Sequence, residues 1–217
     1  MILYHGSDKI IKKPIYAYGK NTNDYGKGFY MTKDLELAKE WAARESMDRT
    51  FVNMYEIDVS KLNLLDLDKV DDKVLKWITL LVKYRAINLK NPIGIRGREL
   101  LINKYLLDVD AYDLIRGYRA DDCYFMFARS FLNNEISIEQ LGRALVLGKL
   151  GDQYVLKSKK AFDSIKFVKY FEVDSKIYYE KRVFRNKIAA DEYDIVINSV
   201  KRDEHYLSDI LKDYEDQ

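Results

Sequence analysis

Two short segments near the start of the chain hold residue types suited to binding a small polar ligand. The first is Tyr4-His5-Gly6-Ser7. A histidine at a strand end followed by glycine sets an imidazole beside backbone that a ligand can approach. The ring can hydrogen-bond a ribose hydroxyl, and the Gly6 amide and carbonyl can hold a carboxamide. A strand-end histidine before a turn glycine, with no ligand at all, has the same pattern. The other histidine, His205, lies in the tail, so a catalytic histidine pair is not available. The second segment is Asp24-Tyr25-Gly26-Lys27-Gly28-Phe29-Tyr30-Met31-Thr32. Gly26 and Gly28 let backbone pass close to a flat ligand, and Tyr25 and Tyr30 offer faces for stacking. No third glycine and no Gly-Lys-Ser/Thr follows, so this is neither a Gly-x-Gly-x-x-Gly run nor a phosphate loop. A glycine loop before a core strand is the ordinary alternative.

A third constellation, Gly117-Tyr118-Arg119-Ala120-Asp121-Asp122, sits where a strand gives way to a helix. One aspartate there caps free amides and favours the helix dipole. Two adjacent acids exceed what capping needs, which leaves a spare carboxylate for chemistry. Arg119 can present its planar fork to a pyrophosphate or pair with Asp121 or Asp122. Trp41, Trp77 and Cys123 read as core residues, and Lys157–Lys160 as a solvated face. There is no ligand spacing for a metal and no Gly-x-Ser-x-Gly element of a hydrolase triad.

The elements that must position these residues follow from periodicity. Strands are expected at Ile2–His5, Pro14–Tyr18, Gly28–Thr32, Phe51–Val59, Tyr112–Ile115, Gln153–Lys157 and Ile165–Val173. In Phe51–Val59 the inward residues are Val52, Met54 and, after a bulge, Ile57. Helices are expected from Thr32 or Asp34 onward, over Asp71–Arg85, over Glu99–Leu106 after a break at Asn91-Pro92 to Gly97, and over Ala120–Leu132. A further helix opens at the capping box Ser137-Ile138-Glu139-Gln140 and ends at Gly148, and Lys160–Asp163 is a turn. Strands interspersed with helices, without regular βαβ units, make the fold class α+β. Residues 1–174 read as the catalytic domain and 175–217 as a charged, mostly helical extension.

Composition narrows the setting. The 217 residues carry a net charge of only +2, so no bulk attraction to nucleic acid is implied. One cysteine excludes an internal disulfide and fits a reducing cytosol. No apolar run approaches the ~20 residues of a membrane span, and the N-terminus lacks the pattern of a signal peptide. The expectation is a cytoplasmic protein without a membrane partner.

Gly26-Lys27-Gly28-Phe29-Tyr30-Met31, followed by a helix containing Ala38, resembles the nicotinamide-stacking segment of the poly-ADP-ribose polymerases and diphtheria-type toxins. His5-Gly6 matches the early strand of that ADP-ribosyltransferase superfamily. Asp152-Gln153-Tyr154-Val155-Leu156 stands where a late strand presents a glutamate. The chain is most similar to small bacterial members, some of which resemble toxins encoded beside an antitoxin. The resemblance implies two small antiparallel sheets forming a split core with helices outside, and NAD⁺ as co-substrate without a metal. It implies that His5 binds a ribose hydroxyl, Gly6 and Ser7 the carboxamide end, and Tyr30 the nicotinamide ring. Thr32 would support that end of the pocket, and Gln153 would contact the 2′-hydroxyl of the nicotinamide ribose. The implied partners are a protein or nucleic-acid acceptor and an antitoxin protein.

Gln153 departs from the pattern. A neutral amide accepts a hydrogen bond but brings no net negative charge to a developing oxocarbenium ion. Transfer of a single ADP-ribose unit, with Asp121 or Asp122 supplying the charge, and a catalytically silent module that binds NAD⁺ or ADP-ribose both remain open. So does an interaction protein that keeps the fold without the pocket.

Overall fold

Alternating side chains in Ile2–Ser7 (β1) bury Leu3 and leave His5 half-buried at the far end of the strand. The computed structural model describes residues 1–120, 122–149 and 151–216. β1 pairs antiparallel with Arg49–Ile57 (β3), which pairs antiparallel with Ile165–Asp174 (β7) to complete a three-stranded sheet. The second sheet runs Phe29–Met31 (β2), Asp152–Leu156 (β6), Leu114–Tyr118 (β5), Leu64–Asp66 (β4). The fold is therefore α+β, as the pattern of elements implies, with two small sheets.

The two sheets are not wholly antiparallel. β4 and β5 run parallel over Leu64↔Leu114 to Asp66↔Arg116. A parallel pair needs a long crossover. Here it is made by Lys73–Tyr84 (α2) and Pro92–Tyr105 (α3), which lie between the two strands in sequence. The sheets are joined by a bridge where Tyr4 and Thr32 exchange backbone hydrogen bonds of 2.8 and 2.9 Å.

Strand alternation divides the core. In β6, Val155 faces a large cluster that includes Trp77, Phe127 and Phe131, while Tyr154 and Leu156 face a cluster shared by both sheets with Leu3, Met31 and Tyr55. Leu35–Ala42 (α1) covers the first sheet through Ala38 and Ala42. The large cluster is closed by Asp122–Leu132 (α4), Ile138–Ala144 (α5), Ser175–Asn198 (α7) and Leu207–Glu215 (α8). Tyr193 of α7 stacks on Phe127 at 4.0 Å between centroids, and Leu207 and Leu211 of α8 are buried in the same cluster. The charged tail thus contributes directly to the core.

Helix starts follow local chemistry. Asp34 caps α1 by accepting from the Leu37 amide, and the Ser137–Gln140 capping box opens α5 as expected. Other boundaries differ. Asn91-Pro92 begins α3 instead of breaking it, because Asn91 accepts from the Gly94 amide and proline suits the first helical position. Segment 14–18 is a turn, with Ala17 at a left-handed φ of 60°, and not a strand. Residues Lys159–Asp163 form a short helix, α6. In β3 the bulge falls between Met54 and Tyr55, so Tyr55 and Ile57 are buried and Met54 only half-buried. Among the described residues no helix is long and apolar enough to cross a membrane.

Candidate functional site

The end of β1, the loop before β2, the C-terminal side of α1, Arg85 just after α2, Arg119 and Ala120 just after β5, and the start of β6 surround a cleft of about 660 Å³. That size lies within the ~300–1,000 Å³ of small-molecule sites. His5, Tyr30 and Gln153, drawn from three distant segments, all line it.

His5 is fixed by its Nδ1, which lies 2.7 Å from the Tyr30 carbonyl oxygen, and by packing against Phe29 in a tilted arrangement with ring centroids 4.3 Å apart. A carbonyl can only accept, so Nδ1 carries the proton. The neutral ring then leaves Nε2 as an acceptor. Burial holds the imidazole below the usual histidine range; the bond to the Tyr30 carbonyl opposes this shift and the Arg44 cation adds to it.

The glycine loop is held against the sheet. The Tyr30 hydroxyl donates to the Gly26 carbonyl at 2.7 Å and accepts from the Tyr25 amide at 3.0 Å. Burial pushes the phenol far above its ordinary range, so it stays protonated. Gly26 has φ +71°, and a Cβ there would lie 2.8 Å from the Tyr84 ring. A Cβ on Gly28 would overlap the Val155 side chain. Lys157, expected on a solvated face, is half-buried with its side chain covered, and pins the loop by donating to the Tyr25 and Lys27 carbonyls at 2.8 and 2.9 Å.

Gln153 is only 3 % exposed. Its Nε2 donates to Asp24 Oδ2 and to the Tyr118 carbonyl, each at 2.9 Å. Asp24, also buried, accepts on the same Oδ2 from the Ala120 amide at 2.9 Å, and its Oδ1 faces Arg85 Nη1 at 3.5 Å. Burial raises the Asp24 carboxyl, against the lowering pull of these donors and of Arg85 and Arg119. Lys9, Lys13, Arg44, Arg85 and Arg119 also line the cleft, and Asp24 is the one acid among its described residues. This cationic lining suits a dianionic group such as a pyrophosphate.

Trp41 is a correction to the expectation of a core tryptophan. It is half-buried and forms cleft wall, with the Arg119 guanidinium 4.0 Å from its ring centroid. The apolar face of α1 ends where the cleft begins, and periodicity does not separate a core wall from a cleft wall. Trp77 is fully buried, as expected.

Several expected ligand contacts are not at the cleft. Tyr25 is fully buried beneath it, its hydroxyl donating to the Tyr118 carbonyl at 2.6 Å, so it has no face for stacking. Gly6 admits α1, since a Cβ there would overlap the Ala38 carbonyl. Ser7 turns its hydroxyl to Asp8, and Thr32 accepts from the Asp34 amide at the start of α1. Gly26 packs on Tyr84, while Gly28 and Arg119 do line the cleft. Asp121 and the side chains of Asp122 and Cys123 fall outside the described residues. Sequence reasoning missed Asp24 and Arg85. Asp24 opens the quoted glycine segment, and its carboxylate there was the available signal; Arg85 has none, being the exposed-looking end of an amphipathic helix.

No curated protein and no solved structure gives a significant match to the chain. The family described as "Protein of unknown function (DUF3990)" matches residues 1–167, a span that holds every residue of the cleft. The chain belongs to that family.

Proposed function

We propose that the cleft binds NAD⁺ and transfers its ADP-ribose to a macromolecular acceptor, protein or nucleic acid. The observation that carries this reading is the convergence of His5, Tyr30 and Gln153 on one cationic, aromatic-walled cleft. It is the set of side chains that the resemblance to ADP-ribosyltransferases singles out, and an α+β fold with two small sheets is compatible with it.

In the reaction the C1′–N1 bond of NAD⁺ breaks and its electron pair leaves with nicotinamide. The ribosyl carbon passes through an oxocarbenium-like state, an acceptor nucleophile forms the new bond at C1′, and the acceptor's proton is released. His5 Nε2 accepts a hydrogen bond from a ribose hydroxyl and orients that sugar. The ring of Tyr30 supports nicotinamide. Gln153 takes the 2′-hydroxyl of the nicotinamide ribose, and the arginine and lysine lining holds the pyrophosphate. Positioning and electrostatics supply the rate. The cytoplasm, where a lone Cys123 stays reduced, is the compartment this reading implies. Inhibition of growth on expression, relieved by a partner protein, would mark a toxin of an antitoxin pair.

The test is incubation of the protein with adenine-labelled NAD⁺ and cell lysate. Release of nicotinamide with label on protein or nucleic acid is expected, and both are lost in His5→Ala and Tyr30→Ala. A second reading, a silent NAD⁺- or ADP-ribose-binding module, is favoured by the neutral amide of Gln153. It predicts saturable binding with no nicotinamide release under any acceptor. Absence of binding as well as release overturns both.

A further inference from the structure

We propose that Asp24 is the anionic positioning residue of this cleft, presenting its charge to the ligand through the amide of Gln153. The inference rests on the NAD⁺ reading above and answers how a site with a glutamine can favour a cationic ribosyl centre.

Three features carry it. Both amide hydrogens of Gln153 are committed, to Asp24 Oδ2 and to the Tyr118 carbonyl. The side chain therefore has one polar atom left for a ligand, the acceptor Oε1. A hydrogen bond from the amide to a carboxylate is charge-assisted and polarises that amide, so Oε1 becomes a stronger acceptor than in an isolated glutamine. The anion stands directly behind it.

The second feature concerns what the charge is for. Asp24 receives the Ala120 amide and Gln153 Nε2 on the same oxygen, Oδ2. An asparagine carbonyl would satisfy the same two donors, so these two bonds alone do not require an acid. Burying a carboxylate at 6 % exposure is costly unless it is paired, and among the described residues its other oxygen faces Arg85 Nη1 at 3.5 Å. Arg85 and, at longer range, Arg119 already face this charge, and a cation arriving in the cleft adds to them.

The third feature is position. Among the described residues, Asp24 is the one carboxylate lining a cleft that otherwise carries lysines and arginines. A dinucleotide with a pyridinium at one end and a pyrophosphate in its middle carries both signs of charge along its length. Asp24 and Gln153 thus act as a unit that divides between two side chains the work of one glutamate: Gln153 makes the contact and Asp24 holds the charge.

The experiment compares wild type, Asp24→Asn and the exchanged pair Asp24→Asn with Gln153→Glu. Nicotinamide release gives kcat and KM, and calorimetry gives the affinities for NAD⁺ and for the uncharged-ring analogue NADH. Wild type is expected to bind NAD⁺ in preference to NADH. Asp24→Asn should narrow that preference and lower kcat about ten- to a hundredfold, a larger change than in KM. The exchanged pair returns the anion to the cleft and should recover kcat to within about tenfold of wild type; it also carries the test if the single variant does not fold. An unchanged kcat and an unchanged preference in folded Asp24→Asn, a rise in KM alone, or a folded exchanged pair without recovery overturns the assignment while leaving the NAD⁺ reading intact. Wild-type protein that neither binds NAD⁺ nor releases nicotinamide overturns that reading, and this assignment with it.

Discussion

The helical core and the cleft are built by opposite rules. In the core around Trp77, Phe127 and Leu81, side chains are fully buried and apolar, and they come from helices whose 3.6-residue pattern reports their inward face. The cleft holds a desolvated histidine, a buried acid and a tryptophan under an arginine, drawn from segments far apart in the chain. The core gains stability from matching its surroundings. The cleft keeps groups whose surroundings disfavour their charged forms, as sites of chemistry do.

This contrast breaks most visibly under truncation. Trp77→Ala should cost about 3–5 kcal/mol, a large share of the stability of a single domain, and thermal or denaturant unfolding measures it. His5→Ala should leave the unfolding midpoint close to wild type while lowering nicotinamide release about a hundredfold. Should both variants lose activity only in proportion to their unfolding, the cleft is merely part of the core.

Gly28→Ala sharpens the boundary between the two regions. Its added methyl meets the Val155 side chain and the Leu156 carbonyl, so the loop must lift from β6. A destabilisation of about 1–3 kcal/mol is expected, together with loss of NAD⁺ binding, since Tyr30 is anchored to that loop. Calorimetric titration of NAD⁺ into the folded variant checks it.

The same boundary marks what the sequence discloses. The Asp34 cap of α1, the amphipathic face of α2 and the Ser137 capping box are local signals, and each appears in the fold. His5, Tyr30 and Gln153 were recognisable through the resemblance that their segments carry. Asp24 with Arg85, the wall position of Trp41 and the parallel β4–β5 pair were not, because each depends on a contact between segments separated by whole elements. Local periodicity reports which face of a helix is covered, and it is silent on whether core or ligand covers it.

The smallest expected effect is a pH dependence of stability. The folded-state pKa of His5 is held below its ordinary 6.5, mainly by burial, so the unfolded chain binds the proton more readily. The His5 contribution should be constant above about pH 6.5 and fall as the pH drops from there toward the lowered folded-state value. Melting curves of wild type and His5→Gln between pH 7.5 and 5 isolate this contribution, which the variant lacks. An equal fall in both means that His5 is not the group responsible.

One titration tests the central claim most directly. The chain has two histidines, His5 in the cleft and His205 on the surface beside Glu139, so ring-nitrogen NMR resolves a site probe and a control in one sample. Added NAD⁺ is expected to shift the His5 Nε2 resonance saturably and leave His205 in place. A His5 resonance that does not move at saturating NAD⁺, or moves only together with His205, contradicts a dinucleotide site built around this imidazole.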